Sequence, residues 1–427
     1  MDVIEIEGGK ELSGTIRING AKNSCVALIP AAILGSEQVT LTNVPEIKDV
    51  DSLTEILEYI GANPQRSTNA MVIDPANVEN KEITEEYASK LRASYYFMGA
   101  MLGKYHHAEL YFPGGCKIGE RPINLHLKGF EALGATVKNE GKKYIVDAKE
   151  LKGADIFLDI ASVGATINIM LAACLADGVT RIKNAAREPE ITDVAMLLNS
   201  MGAKIRGAGT SEIKIEGVKK LGGTIEGHEI IPDRIEAGTY IIIGALTGNY
   251  LKIDNIIPAH LTSLLSTLEE AGVEMEVGDD YLYVTKPNKF LPTKVKTVGY
   301  PGFPTDLQQP YSVIMTQAEG ESKVTETIWE NRFMHVPYLN KMGANVEVIG
   351  MSAKFKGPTP LHGEEVEATD LRAGAAMVAA GLIAEGKTEI TNINHILRGY
   401  SNIVEKLRDV GADIKVIQKE EESTKTR

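Results

Sequence analysis

Residues 52–62 read SLTEILEYIGA, and the stretch decides the fold because its ending occurs six times. Leu53, Ile56, Leu57 and Ile60 fall at the i, i+3, i+4, i+7 spacing that lines one face of a helix. Gly61 then supplies the left-handed residue on which such a helix stops. The ending returns at Gly134-Ala135, Gly202-Ala203, Gly272-Val273, Gly343-Ala344 and Gly411-Ala412, with successive glycines 73, 68, 70, 71 and 68 residues apart. TDVAMLLNSMGA, LTSLLSTLEEAGV and NIVEKLRDVGA are further copies of the amphipathic helix. Ahead of it lies a more apolar helix and a short strand, as in CVALIPAAILGSEQVTLTNV, TINIMLAACLADGVTRIKNA, TYIIIGALTGNYLKIDNI and GAAMVAAGLIAEGKTEITNI. Alternation in VTLTNV and TEITNI marks strands with one buried face. Another strand, such as AKIRG or ADIKVI, follows the glycine. The unit is strand–helix–strand–helix–strand, six times over. A period of about 70 is too long for a solenoid, so two α/β domains of three units each are expected, with helices inside and sheets outside or the reverse.

Composition agrees with two cores. The 427 residues are 43% hydrophobic and 24% charged, and a chain of that length exceeds one ordinary domain. The net charge of −13 comes without a basic block, which argues against a nucleic-acid partner but leaves room for a local cation cluster around a small anion. Three cysteines form no disulfide framework and favour a reducing, cytoplasmic location. The opening MDVIEIEGGKEL is charged and strand-like, not a leader, and the apolar run 373–384 is too short for a membrane span. From about residue 418 the polar tail QKEEESTKTR is expected to be disordered.

Residues 381–388, GLIAEGKT, match the phosphate-loop pattern GxxxxGK[ST] letter for letter. That loop works when a strand enters and a helix leaves, so that helix amides face the phosphate. Here the order is reversed, and the match is a decoy. Nicotinamide and zinc signatures are absent from the sequence as well.

Four stretches break the regular pattern. PGGCKIGERP, 113–122, sets Cys116 in a Gly-rich loop beside Lys117 and Arg121. Nearby cations and amides lower a thiol's pKa, so Cys116 can act as acid, base or nucleophile, although an ordinary exposed thiol would look the same. Cys25 and Cys174 lie in apolar helical runs and read as core. RINGAKNS, 17–24, places Lys22 and Asn23 where a strand gives way to a helix, an arrangement suited to an anion, although taken alone a solvated lysine is the commoner explanation. GYPGFPTDLQQP, 299–310, presents Asp306, a general base or simply a helix-capping carboxylate. Arg92, Arg332, Arg372 and Arg398 fall at repeat junctions, either as forks for phosphate and carboxylate or as surface ion pairs.

Taken in order, KN at 22–23, LRAS, PGGCxIGxRP, SVGAT, NAAREPE, PDRIEAGT, GFPTDLQ, ENRFMH, ATDLRAG and HILRGY resemble the UDP-N-acetylglucosamine 1-carboxyvinyltransferase family over all but the last ten or so residues. The Cys loop separates it from the related enolpyruvylshikimate-phosphate synthases. The resemblance implies an inverse α/β barrel, with one domain of residues 22–229, a second of 1–21 plus 230–427, and substrates in a cleft between them. It implies transfer of the enolpyruvyl group of phosphoenolpyruvate to the 3′-hydroxyl of UDP-N-acetylglucosamine, the first committed step of peptidoglycan precursor synthesis. Cys116 would be the acid, and could also hold phosphoenolpyruvate covalently; Asp306 would be the base. Lys22, Arg121 and Arg398 would cradle phosphate and carboxylate. Arg92, Arg332, Asp370 and Arg372 would complete the anionic pocket, and Asn23 would orient the sugar. Arg121, Pro122, Ile123, Asn124, Leu125, Ser162, Val163, Gly164, Ile328 and Trp329 would line the nucleotide-sugar site. The resemblance calls for no cofactor and no metal, the cations supplying the electrostatics, and for no nucleic-acid or membrane partner.

Tyr96 and Trp329 stand where the family pattern suggests Trp and Phe, and Ala161 stands where many relatives place a cation. Exchange of one aromatic for another preserves stacking, whereas the missing cation weakens a diphosphate contact. This combination resembles the second paralogue of some Gram-positive bacteria. Two other readings stay open on sequence grounds: a relative that binds nucleotide sugar without turnover, and a sister transferase with another hydroxyl acceptor.

Overall fold

A computed structural model describes residues 1–112 and 123–419 of the chain. The chain divides into two compact units, residues 20–231 and residues 1–19 with 232–427. Each unit carries three repeats, and the described residues form six small sheets, five of four strands and one of three.

In the unit of residues 20–231, the helices Lys22–Ala32, Tyr96–Tyr105 and Val163–Ala173 are buried along almost their whole length. In the other unit the same holds for Arg234–Thr247, Thr305–Gln317 and Leu371–Ile383, which pack against one another. These helices have no polar face to offer water, so they lie in the centre. The amphipathic helices bury one side only: in Lys48–Ile60, Leu53, Ile56, Leu57 and Ile60 are fully enclosed, and Gly61 ends the helix at φ 86°. The sheets form the outside, with one face inward. Thr180 and Ile182 of strand Val179–Lys183 are buried while Val179 is exposed. Helices inside and sheets outside make each unit an inverse α/β barrel, which resolves the alternative that the repeat pattern leaves open.

The third repeat is representative. Strand Asp155–Phe157 runs parallel to Val179–Lys183, the buried helix connecting them, and Glu212–Glu216 and Lys204–Arg206 extend the sheet antiparallel. Three sheets borrow strands from distant sequence. His228–Glu229 pairs parallel with Val39–Thr42 and completes the first repeat. Leu12–Arg17 pairs parallel with Gly248–Asp254, and Asp2–Glu7 inserts between Lys387–Thr391 and Asp413–Gln418. The last strand thus keeps Gln418 in the sheet; residues 420–427 of the expected tail lie outside the described residues.

A small device recurs just after the second strand of a repeat. Asn43, Asn184, Asn255 and Asn392 all adopt left-handed φ of 55–60°, a region that asparagine tolerates better than most residues. Three of their amides reach across to the parallel neighbour, donating to the carbonyls of Ile230 (2.8 Å), Leu158 (2.7 Å) and Ile18 (2.8 Å), and Asn392 donates to the Glu367 carboxylate at 2.7 Å. The remaining two repeats hold Phe112 and Glu326 at this position.

The GLIAEGKT segment has the geometry of a plain turn: helix Leu371–Ile383 enters it and strand Lys387–Thr391 leaves. Among the described residues no helix is long and apolar enough to cross a membrane. Gly20 lies so close to the Asn43 turn that a Cβ there would come 1.8 Å from the Asn43 carbonyl oxygen. Gly20→Ala is therefore expected to lower stability by at least about 2 kcal/mol. Urea denaturation checks this, and a loss below about 0.5 kcal/mol would show that the backbone yields freely.

Candidate active site

Lys22, Asn23, Ser162 to Gly164, Asp306, Asp370 and Arg372 lie at the N-terminal turns of buried helices, where unpaired backbone N–H groups favour anions. Cys116, Arg121 and Pro122 lie outside the described residues.

In the unit of residues 20–231, Lys22 and Asn23 open the helix Lys22–Ala32. The Lys22 ammonium is 3.1 Å from the Asp49 carboxylate, which is itself buried. Ser162 caps the helix Val163–Ala173, its hydroxyl accepting from the Ala165 N–H at 3.2 Å, with Val163 and Gly164 in the first turn. A Cβ on Gly164 would lie 3.0 Å from both the Tyr95 hydroxyl and the His126 ring, so glycine lets that ring approach. Arg92 begins the short turn Arg92–Tyr95 that leads into helix Tyr96–Tyr105. Ile123, Asn124 and Leu125 form the entry to helix Asn124–Ala132, with Ile123 and Leu125 buried and Asn124 exposed. Ala161 is also exposed.

His126 follows directly and is buried. Asn168 Oδ1 accepts from the Gly99 N–H at 2.8 Å, so the Asn168 amide nitrogen faces both the Tyr95 carbonyl (2.9 Å) and His126 Nδ1 (3.0 Å). That nitrogen can only donate, hence Nδ1 accepts and the imidazole is neutral. Burial pushes the His126 pKa down from 6.5 to about 4. Cys25 and Cys174 are buried thiols whose pKa burial pushes up to about 12, as core cysteines should be.

In the other unit, Asp306 is the second residue of helix Thr305–Gln317. Its Oδ1 is 2.8 Å from Arg332 Nη2 and its Oδ2 is 3.3 Å from Arg372 Nη2. The arginine side chains are 4% and 3% exposed against 26% for Asp306, so two enclosed cations flank one partly open carboxylate. Arg372 lies just past Asp370, which caps helix Leu371–Ile383 by accepting from the N–H groups of Arg372 (2.9 Å) and Ala373 (3.0 Å). Gln309 holds the other Asp370 oxygen at 3.2 Å. Burial opposes the Arg372 charge, but the fields of Tyr400, Asp306 and Asp233 outweigh it, and its pKa rises. Asp233 caps the third buried helix, Arg234–Thr247. Two helix starts therefore meet at one guanidinium, and the field of the carboxylate capping the third also reaches it.

Arg398 ends the turn Ile393–Arg398. Ile328 and Trp329 are held through their backbone N–H groups, both donating to the buried Glu326 carboxylate at 2.9 and 3.3 Å. A shallow recess lined by Arg234, His260, Tyr300 and Pro301 contains none of the predicted residues. Asp49, His126, Thr305 and Glu326 join the site only in three dimensions. Of these, Glu326 alone carried a sequence signal, since it replaces the repeated Asn.

Residues 6–407 match the family described as EPSP synthase (3-phosphoshikimate 1-carboxyvinyltransferase). The chain is 56% identical to UDP-N-acetylglucosamine 1-carboxyvinyltransferase 2 of Geobacillus kaustophilus (strain HTA426), over 97% of this chain and 96% of that protein. It belongs to the UDP-N-acetylglucosamine 1-carboxyvinyltransferase family. The corresponding protein 2 of Bacillus subtilis (strain 168) is 54% identical over the same shares. Among solved structures, the enolpyruvyl transferase NikO from Streptomyces tendae is 27% identical, with a TM-score of 0.88 over 97% of this chain and 99% of that one. An EPSP synthase from Acinetobacter baumannii, 16% identical with a TM-score of 0.75 over 98% and 100% of the chains, shares the family fold.

The site environment carries a pH dependence. His335 is buried too, its Nε2 3.1 Å from the Ser312 hydroxyl, and burial again lowers its pKa to about 4, with Asp370 opposing and Arg332 assisting. Both imidazoles are neutral in the fold but bind protons near pH 6.5 once unfolded. The unfolded chain therefore gains protons first as pH falls, and stability drops between about pH 6.5 and 4, by up to about 3 kcal/mol per histidine. Urea denaturation at pH 7 and pH 5 should show the drop, and His335→Gln should flatten it; an unchanged slope would contradict the assignment.

Proposed function

We propose that the protein transfers the enolpyruvyl group of phosphoenolpyruvate to the 3′-hydroxyl of UDP-N-acetylglucosamine and releases phosphate. The observation that carries this reading is Asp306, a partly open carboxylate gripped by two enclosed guanidiniums at a helix start. A carboxylate so placed stays anionic and oriented, as a base toward a hydroxyl must be.

The chemistry divides into addition and elimination. In the addition, the sugar oxygen bonds to C2 of phosphoenolpyruvate, C3 takes a proton and the hydroxyl proton passes to Asp306. In the elimination, C3 gives up a proton, the C2–phosphate oxygen bond breaks and phosphate departs. Cys116, in PGGCKIGERP, is the proposed donor to C3, a role that rests on its motif. Lys22, Arg121 and Arg398 hold the phosphate and carboxylate of phosphoenolpyruvate and steady charge in the tetrahedral intermediate. Arg92, Arg332, Asp370 and Arg372 maintain the anionic pocket around them. Asn23, Arg121 to Leu125, Ser162 to Gly164, Ile328 and Trp329 receive the nucleotide sugar. The exposed Ala161 supplies no cation to its diphosphate. Both substrates are soluble phosphorylated metabolites, and buried, unbridged Cys25 and Cys174 suit the reducing cytoplasm where these occur.

Phosphate release on mixing the protein with both substrates tests the reading, and well-folded protein that releases none refutes it. Cys116→Ala is expected to abolish turnover while Cys116→Asp keeps a fraction, because a carboxylic acid can also deliver a proton. Full activity in the alanine variant would remove Cys116 from the acid's role. Asp306→Asn should bind both substrates yet lose about 10²- to 10⁴-fold in kcat; calorimetry paired with steady-state kinetics separates the two effects.

A further inference from the structure

Four repeats place an asparagine after their second strand, and three of these amides tie that turn to the carbonyl ending the parallel strand beside it. In the fifth repeat the position holds Glu326, which is 1% exposed. Burying a carboxylate where an amide would do is costly unless every lone pair finds a donor. Glu326 finds four. Its Oε1 accepts from the Thr297 hydroxyl at 2.8 Å, the Ile328 N–H at 2.9 Å and the Trp329 N–H at 3.3 Å. Its Oε2 accepts from the Thr305 hydroxyl at 2.9 Å. Thr297 follows strand Lys294–Lys296 as Leu158 follows Asp155–Phe157, so this contact keeps the link between parallel strands that the asparagines make elsewhere. The other three donors belong to the site.

The Thr305 hydroxyl, having given its proton to Glu326, accepts from Arg332 Nη1 at 2.9 Å, and Arg332 Nη2 holds Asp306 at 2.8 Å. Polarity is fixed along the line: guanidinium to hydroxyl to carboxylate, with the second arm of the guanidinium on the base. We propose that Glu326 is a positioning residue, a single carboxylate that sets the backbone of Ile328 and Trp329 and, through Thr305 and Arg332, the orientation and charge of Asp306. The inference rests on the functional reading above. It assigns the exchange of asparagine for glutamate in the fifth repeat to the reaction and not to the sheet.

Two kinds of variant separate the branches. Thr305→Val removes the relay and leaves three acceptor bonds on Glu326 intact. With Arg332 loosened, Asp306 loses part of the cation contact that favours its charged form, so the acid limb of the kcat/KM profile should move up by about one pH unit. Turnover should fall about 10- to 100-fold from misplacement of the base. Thr305→Ser, which keeps the hydroxyl, should restore most of the rate. In Glu326→Ala both branches fail. Trp329 is the only tryptophan in the chain, so its fluorescence reports the second branch: acrylamide quenching should rise in Glu326→Ala and stay at the wild-type level in Thr305→Val. Should Glu326→Ala not fold, Glu326→Gln serves. Its remaining carbonyl oxygen keeps the two backbone N–H groups, and its amide nitrogen opposes Thr305, so it should behave as Thr305→Val does. An unmoved acid limb in Thr305→Val, or unchanged Trp329 quenching in folded Glu326→Ala, overturns the proposal. Wild-type protein that releases no phosphate defeats the functional reading instead, while the quenching comparison still decides whether Glu326 orders the segment.

Discussion

Six helices among the described residues are enclosed on nearly every side. Much of the architecture follows from that enclosure. A helix buried on every face cannot lie on a surface, so sheets and amphipathic helices wrap three of them in each unit. Polar groups along these helices find partners within the chain, as Asn168 does with the Gly99 N–H and the Tyr95 carbonyl, and the helix ends remain to meet other polar groups. The starts, with their unpaired N–H donors, call for acceptors, and Ser162, Asp233 and Asp370 supply them from within the chain. Where protein groups do not fill that need, an anionic substrate can. A fold built to bury such helices thus sets polar chemistry at their first turns, where Lys22, Asn23, Asp306 and Arg372 lie.

Electrostatics then governs the local design. Arg332 and Arg372 are almost sealed from water, which would be unfavourable for two like charges without Asp306 between them. The carboxylate serves both parties: it offsets part of the two guanidinium charges, and they favour its charged form. Lys22 and the buried Asp49 make the same kind of arrangement at another helix start. Lys22, Arg332 and Arg372 each face a carboxylate within the fold itself, which eases their enclosure.

The repeat and the amphipathic faces were legible in the sequence, because a glycine stop and a four-residue hydrophobic spacing are local signals. Which layer lies inside was not: a buried helix and a buried strand of mixed Ala, Ile and Val look alike until packing chooses. The GLIAEGKT match was resolved by order alone, helix before strand. The identity of the site came from motif resemblance, since a lone Asp306 or Arg372 reads equally as a cap or a surface ion pair. Asp49, His126 and Thr305 gave no signal, as their roles depend on partners far away in sequence. The asparagine device sat in plain view in VTLTNV, TRIKNA, LKIDNI and TEITNI, but only the left-handed backbone and the cross-strand bonds give those letters a meaning.

The borrowed strands also impose an order on synthesis. Residues 20–231 hold every strand of their own unit by Glu229, so that unit can close while the rest of the chain is still being made. Strand Asp2–Glu7 emerges long before its partners Lys387–Thr391 and Asp413–Gln418. Until then Val3, Ile4 and Ile6 have no core to enter, and both edges of the strand are open to any extended neighbour. Its sequence, DVIEIE, interleaves those residues with acids. Glu5 ends in ion pairs with Lys387 and Lys415 at 3.1 and 3.0 Å, but during translation its unpaired charge, with those of Asp2 and Glu7, repels like strands on neighbouring ribosomes. The same carboxylate acts first as a gatekeeper and later as a clasp.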